Sequence, residues 1–342
     1  MSEKLARRPK LIASDLDGTI VAHYGSITQR TIDAFRKAHS LGVEIYFVTG
    51  RPPRWMPEIK EAFGIGNAIC GNGAMLYDLH NDKVLEEWLL PVDAQLEAVR
   101  RLREAIPPIS FAVESHNYFH REKIYIPRWD VGLDNIGVDL IEEVVTSPAL
   151  KLLARCSQQE FSSDEMLAIA KKELEGLVTV THSNPADSLL EITAIGVSKG
   201  ATLSKMAARH GLGADESVSF GDNPNDISML EWCGRSYAMA DGHPDAHAAA
   251  KSIAEPHTDD GVAMIVFTLG VFIAMFATTA IPFALAVTFA VTSDDTTKVA
   301  IGIVTDDFPA GIDTDVGMTS DVMLDVSFTI SPPVGAGTVS SI

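Results

Sequence analysis

Residues 11–20 read LIASDLDGTI, and the position of Asp15 and Asp17 in this stretch decides how the rest of the chain is read. A short apolar run that stops abruptly in turn residues has the pattern of a buried strand. Two carboxylates one residue apart at its end repel each other. The pair is therefore either a solvated turn or a site whose partners offset the repulsion.

Working outward, a helical pattern begins at Thr28, carries Ile32, Phe35 and Ala38 on one side, and is stopped by Gly42. VEIYFVTGRP, residues 43–52, is a second β-branched and aromatic run, ending in Thr49, Gly50, Arg51 and Pro52. Strand, helix, strand in this order is a βαβ unit and predicts a parallel sheet covered on both faces. NAICGNGAML, residues 67–76, supplies a third short strand whose loop carries Asn72 and Gly73.

The texture changes between about residues 85 and 190. A helix over 93–105 precedes the extended runs ISFAVES (109–115), YFHREKIYI (118–126) and LKLLARC (150–156). The capping pair Ser162 and Glu165 opens another helix, stopped by Gly176, and VTVTHS (178–183) and SLLEIT (188–193) complete an α+β block. The α/β pattern resumes with a helix over 198–210, a strand and loop in ESVSFGDNPND (216–226), and a further helix. SYAMA (236–240) and SIAE (252–255) are short strand candidates, and DDGVAMIV (259–266) opens a last helix. The expected organisation is a discontinuous α/β core over 1–84 and 190–265, an inserted α+β block over 85–189, and a C-terminal extension over 266–342. The expected fold class is a Rossmann-like, doubly wound parallel sheet with an inserted second domain.

A length of 342 residues suits this arrangement better than one small core. The formal charge of −19 argues against a nucleic-acid partner, because phosphate-backbone binding draws on lysine and arginine clusters. Cys70, Cys156 and Cys233 are widely spaced and suggest neither a disulfide framework nor a zinc site, which fits a reducing cytoplasm. No signal-peptide core follows the basic N-terminus. Residues 261–293 contain no charged residue, and the apolar stretch near 266–291 exceeds the roughly 20 residues needed to cross a bilayer. Against a span, Pro282 would kink it, and Lys251 and Lys298 give almost no positive-inside bias. The run is read as a membrane anchor or as a surface packed on the core or on a second copy.

Ligands of open parallel sheets bind at the carboxyl ends of the strands, and Asp15, Asp17, Thr49 and Asp222 fall at three such ends. A hard cation resolves the carboxylate repulsion: Mg²⁺ takes a few carboxylate or carbonyl oxygens and keeps several waters. One carboxylate as nucleophile beside another as acid and base is the division of labour of transfer through an aspartyl-phosphate. Two histidine pairs at i, i+4 spacing, His116 with His120 and His243 with His247, have no evident third ligand and read as solvated side chains. The glycine-rich stretches fit neither the dinucleotide fingerprint nor the P-loop.

With DLDGT (15–19), VTGR (48–51), GNGA (71–74), GVSKG (196–200) and GDNPND (221–226) in this order, the chain resembles the haloacid dehalogenase (HAD) superfamily phosphatases. It is most similar to the Cof-like group, which carries a large inserted C2-type cap, and the resemblance covers roughly the first 265 residues. It implies a Mg²⁺-dependent phosphomonoesterase acting on a small phosphorylated metabolite such as a sugar phosphate. Carried onto this chain, the resemblance makes Asp15 the nucleophile and Asp17 the acid and base. Thr49, Gly50, Lys199 and Asn225 become phosphate ligands, and Asp15, Asp17 (through its main-chain carbonyl) and Asp222 become metal ligands. Asp226, Arg51 and Asn72 are supporting residues. The resemblance separates the chain from ion pumps of related chemistry, which have no acid and base at the position of Asp17. A phosphomutase of the same fold and a non-catalytic phosphate-binding module anchored by its tail are the alternatives. The resembled family normally ends near Val266, so a third reading of the tail is a segment foreign to the family.

Overall fold

The computed structural model describes residues 8–21, 26–116, 118–128, 134–156 and 160–271. The chain begins with β1 (Leu11–Ser14), α1 (Gln29–Ser40), β2 (Glu44–Val48), α2 (Pro57–Phe63), β3 (Asn67–Cys70), β4 (Met75–Asp78) and β5 (Lys83–Glu87). A second block follows: α3 (Val92–Ala105), β6 (Ser110–Glu114), β7 (Phe119–Arg121), β8 (Lys151–Arg155), α4 (Ser163–Glu173), β9 (Val178–Thr181) and β10 (Leu189–Ala194). The first block resumes with α5 (Lys199–Arg209), β11 (Ser217–Gly221), α6 (Ile227–Trp232), β12 (Arg235–Met239), α7 (Pro244–Ala249), β13 (Ser252–Ala254) and α8 (Gly261–Val266).

The larger sheet has the order β13-β12-β11-β1-β2-β3-β4-β5. It is parallel from β13 to β3, while β4 and β5 add an antiparallel edge. The central strands are buried along their whole length, as a sheet covered on both faces requires. On one side Leu203, Met206 and Ala207 of α5 and Met229 of α6 pack with Leu11, Tyr46 and Val48. Elsewhere in this core, Phe35 of α1, Phe47 of β2 and Phe63 of α2 form a ring cluster with centroids 4.5–5.6 Å apart. Each such ring contributes about 2–3 kcal/mol by leaving water. The fold is therefore the doubly wound α/β type.

The smaller sheet, β7-β6-β8-β10-β9, is antiparallel throughout. Period-two alternation splits its residues cleanly. Phe111, Val113, Leu152, Ala154, Leu190 and Ile192 share a core with α3 and α4. Glu114, Lys151, Arg155 and Glu191, at the alternate positions, are nevertheless buried.

Local chemistry accounts for the helix starts. Thr28 caps α1 by accepting the Thr31 N–H at 3.2 Å. Ser162 and Glu165 form the expected reciprocal box on α4, and Ser198 accepts from Ala201 ahead of α5. Helices α2 and α7, absent from the sequence reading, are only one to two turns long and open on Pro57 and Pro244, a residue suited to a first helical turn. The run 118–126, expected to be extended, is a strand only at Phe119–Arg121. The chain then turns around Glu122, whose buried carboxylate accepts the N–H groups of Phe111 and Ile141 at 2.9 and 3.0 Å.

The expected domain boundaries at 84/85 and 189/190 each cut a strand. Ladder pairing keeps β5 whole beside β4 and β10 whole beside β8, so the crossings lie beyond Glu87 and Ala194. Met1–Val266 forms one compact unit; of the second, Phe267–Ile342, the described residues are a single wide helical turn, Phe267–Val271. Among the described residues no helix is long and apolar enough to cross a membrane. Most of the candidate segment near 266–291, from residue 272 onward, lies outside the described residues.

Candidate active site

Four neighbouring strands deliver the candidate residues at their carboxyl ends. β1 leads into Asp15, β2 into Thr49, β3 into the turn Gly71–Gly73, and β11 into Asp222. Asp15 is tied to β11 by its N–H, which donates to the Phe220 carbonyl at 3.0 Å. Lys199, the first residue of α5, is fully buried and extends into this group. Its Nζ lies 2.5 Å from Asp15 Oδ1 and 2.7 Å from Asp226 Oδ1.

Asp226 is fully committed. Its second oxygen accepts the N–H groups of Asp222 and Asn223 at 3.0 and 3.1 Å, which shapes the loop after β11. Asp222 Oδ2 accepts from Asn223 Nδ2 at 2.6 Å, whereas its Oδ1 is buried without a hydrogen-bond partner among the described residues. Among the described residues, Asp15 Oδ2 has only a long 3.4 Å contact from the Thr19 hydroxyl. Carboxylate oxygens of Asp15, Asp222 and Asp226 all lie within 4.8 Å of one another. Three carboxylates with one ammonium leave two negative charges when all are ionised, and the under-bonded oxygens belong to Asp15 and Asp222. A divalent hard cation fits that deficit.

The electrostatics follow from this crowding. Burial, opposed by Lys199 and reinforced by Asp226 and Asp17, pushes the Asp15 carboxyl up to about 7. Burial, then Asp15 and Asp226, raises Asp222 well above the ordinary carboxylate range. For Lys199, burial disfavours the charge, but attraction to Asp15 and Asp226 outweighs it and raises the ammonium.

Asp17 is not part of the carboxylate cluster. Arg51 forks onto it, Nε to Oδ2 at 2.8 Å and Nη2 to Oδ1 at 2.5 Å, and reaches Glu58 with Nη1 at 2.9 Å. The Thr49 hydroxyl oxygen accepts the Arg51 N–H at 3.1 Å, leaving its own proton to donate. Asn225 Nδ2 donates to Asn72 Oδ1 at 3.2 Å, and the Thr49 carbonyl accepts the Asn72 N–H at 3.0 Å. Asn72 adopts φ +57°, which turns the loop back toward β2. The ten sequence-selected residues are thus joined by Lys199, Arg51 and these loop hydrogen bonds.

Residues 12–266 match the model of a family described as haloacid dehalogenase-like hydrolase. The chain belongs to this family. It is 28% identical over 272 residues to the pyridoxal phosphate phosphatase YbhA of Escherichia coli, covering 76% of this chain and 98% of that protein. It is 27% identical over 255 residues to the 5-amino-6-(5-phospho-D-ribitylamino)uracil phosphatase YcsE of Bacillus subtilis, covering 74% and 93%. Among solved structures, the HAD subclass IIB sugar phosphatase BT4131 superposes with a TM-score of 0.63 at 23% identity, over 77% of this chain and 100% of that one. BT1666 of Bacteroides thetaiotaomicron gives 0.65 at 22%, over 80% and 99%. At those identities the structural likeness bears on the fold. This HAD-family chain is a phosphatase of the Cof-like type, a hydrolase of phosphoric monoesters.

Two features of this HAD phosphatase were not read from its sequence. The first is the charged face of the smaller sheet. Lys151 donates to the Gly50 carbonyl at 2.8 Å and pairs with Glu191, while Arg54 forks onto Glu114, with Nη2 2.9 Å from Oε2. The signal was present in ISFAVES, LKLLARC and SLLEIT, where Glu114, Lys151 with Arg155, and Glu191 fall on the period-two face opposite the apolar one.

The second is a histidine cluster. His243 is not a solvated side chain, and its partner is not His247, which faces the Met239 carbonyl at 2.8 Å. His182 and His243 both meet Asp164, at 2.8 and 3.3 Å. His243 Nδ1 already accepts the Asp245 N–H at 3.1 Å, so its Nε2 carries a proton and donates to Asp164. The trio is a hydrogen-bonded contact between α4 and the turn before α7, rather than a set of free metal ligands. His116 pairs with Glu87, and the His120 ring lies 4.3 Å from that of Tyr118.

Proposed function

We propose that this phosphatase hydrolyses a small phosphorylated metabolite through a phosphoryl-enzyme formed on Asp15, with Mg²⁺ as its cofactor. The observation that carries the reading is the unequal treatment of the site's carboxylate oxygens. Lys199 holds Asp15 Oδ1, whereas Asp15 Oδ2 and Asp222 Oδ1 are left almost without partners in a buried site. Asp15 and Asp222 would hold the cation through their side chains and Asp17 through its main-chain carbonyl. When bound there, Mg²⁺ supplies positive charge against the negative charge that gathers on the phosphoryl group.

In this reading Asp15 attacks phosphorus, forming a bond from its carboxylate oxygen as the bond to the leaving alkoxide breaks. Asp17 gives that oxygen a proton. Asp17 then takes a proton from water, the water oxygen bonds to phosphorus, and the Asp15–phosphorus bond breaks to restore the carboxylate. The Thr49 hydroxyl, the Gly50 N–H, Lys199 and the Asn225 amide hold phosphoryl oxygens, and Asn72 orients Asn225. Asp226 holds Lys199 and the Asp222 loop in place.

The block from α3 to β10 acts as a cap over this site, which favours small soluble substrates over phosphoproteins. A crevice of about 250 Å³, lined by Ser183 and Asn184 from that block and by Asp222 and His243 from the core, is large enough for such a molecule. Sugar phosphates and compounds of the size of pyridoxal phosphate, the substrates named for the relatives, define the class to screen. We place the catalytic unit in the cytoplasm, supported by three buried cysteines that are all free thiols.

The test is phosphate release from a panel of phosphorylated metabolites, with and without Mg²⁺, by the purified chain and by Asp15→Asn. Release that requires Mg²⁺ and disappears in the variant is expected. Equal release by the variant, or by the wild type in excess EDTA, would overturn the reading.

A further inference from the structure

Lys151 stands on β8 of the smaller sheet, yet its ammonium reaches the loop that follows β2 of the larger one. Its side chain is 7% exposed and that of its partner Glu191 is 4% exposed. Nζ donates to the Gly50 carbonyl at 2.8 Å. That carbonyl and the Arg51 N–H belong to one planar peptide unit, so fixing one end fixes the other. The Arg51 N–H donates to the Thr49 hydroxyl oxygen at 3.1 Å, and the Arg51 side chain forks onto Asp17. One lysine therefore grips the peptide from which Thr49 is aimed and Arg51 departs.

Glu191 has two functions in this arrangement. It pairs with Lys151, and it approaches Gly50 so closely that a β-carbon there would lie 3.3 Å from its carboxylate and 3.1 Å from Asn72 Oδ1. A side chain at position 50 would push the lysine's partner away. Burying two charges against a backbone carbonyl is costly in desolvation, and well-packed apolar residues would avoid that cost. Stability alone does not account for the pair.

We propose that Lys151, braced by Glu191, is a positioning residue. By gripping the Gly50 carbonyl from the smaller sheet, it aligns Thr49 and Arg51 for phosphoryl transfer. The inference rests on the functional reading above for the roles of Thr49 and Asp17. The contact itself ties the smaller sheet to the loop after β2 and does not depend on that reading.

The experiment compares wild type with Lys151→Met, Lys151→Arg and the charge-balanced double variant Lys151→Met/Glu191→Gln. The double variant guards against unfolding caused by an unpaired buried Glu191. Amide hydrogen exchange at Thr49, Gly50 and Arg51 is measured first, because it needs no turnover. Exchange should rise about tenfold in Lys151→Met and in the double variant, and Lys151→Arg should restore part of the protection. In steady state, kcat should fall by about 10²-fold, the cost of a misplacement of about 1 Å, while KM moves less than threefold. Unchanged exchange in the double variant would overturn the proposal, as would raised exchange with wild-type kcat. If the wild type hydrolyses no phosphate ester, the functional reading fails, and the exchange result alone decides the coupling.

Discussion

Arg51 occupies both oxygens of Asp17, with contacts of 2.8 and 2.5 Å. Each oxygen keeps a second lone pair, so in the proposed mechanism Asp17 can exchange a proton with a substrate while the fork still holds it. The pair is only part-buried, with Asp17 46% and Arg51 13% exposed, so it contributes no more than about 1 kcal/mol to stability. In the proposed mechanism the fork fixes the orientation in which the Asp17 carboxylate meets the substrate.

It follows that Arg51→Gln should fold normally but lose control of proton transfer. Hydrolysis of an alkyl phosphate, whose leaving oxygen needs a proton, should fall by about 10²-fold. Hydrolysis of p-nitrophenyl phosphate, whose leaving group departs as an anion, should fall only a few-fold. Equal losses on the two esters would show that Arg51 acts on binding and not on Asp17.

Lys199 balances two buried carboxylates, and removing one partner of such a group is more damaging than never having had it. Lys199→Met should lower stability by about 3–5 kcal/mol, because Asp15 and Asp226 would be left buried without their cation. Mg²⁺ should return part of that loss by supplying charge at Asp15. Urea unfolding of wild type and variant, with Mg²⁺ and with EDTA, measures both effects. A variant as stable as wild type in EDTA would contradict the electrostatic account.

Alkaline pH provides an independent check on the core. Burial pushes the Cys70 and Cys233 thiols up to about 12 from an ordinary value near 9. Because the folded values are raised, both states keep the proton below about pH 9 and no stability is lost there. Above it the unfolded chain ionises first, so stability should decline from about pH 9 toward pH 12. Urea midpoints at pH 8, 9 and 10.5 follow the decline, and Cys233→Ala should lessen it. A flat profile in the wild type would mean that these thiols are not sealed from water.

Much of this was legible in the chain because it depends on local pattern. The βαβ order and the carboxyl-end positions of Asp15, Thr49 and Asp222 follow from apolar runs that end in turn residues. The capping box at Ser162 and Glu165 is likewise a matter of near neighbours. The antiparallel β4–β5 edge was harder to read, since β5 alternates exposed and half-buried residues with little apolar contrast. The fork of Arg51 onto Asp17 spans 34 positions, the grip of Lys151 on Gly50 spans 101, and the contact between His243 and Asp164 spans 79. No periodicity encodes such distances. They become visible only once the strands and loops are assembled in space.

A tight point of the site is Gly18, which has φ +85° and sits directly against Asp222. A β-carbon at that position would collide with Asp222 Oδ2, the oxygen that accepts from Asn223, and the positive φ adds strain for any side chain. Asp222 has little room to yield, because its N–H is bound by Asp226 and its carbonyl accepts the His243 N–H at 2.7 Å. Gly18→Ala should therefore rotate the Asp222 carboxylate and displace the under-bonded Oδ1 on which the cation reading relies. The expected outcome is a Mg²⁺ requirement raised about tenfold or more, the scale seen when groups that orient metal ligands are disturbed. Titrating Mg²⁺ against phosphate release in Gly18→Ala and wild type measures it. An unchanged Mg²⁺ midpoint would remove Asp222 from the metal site.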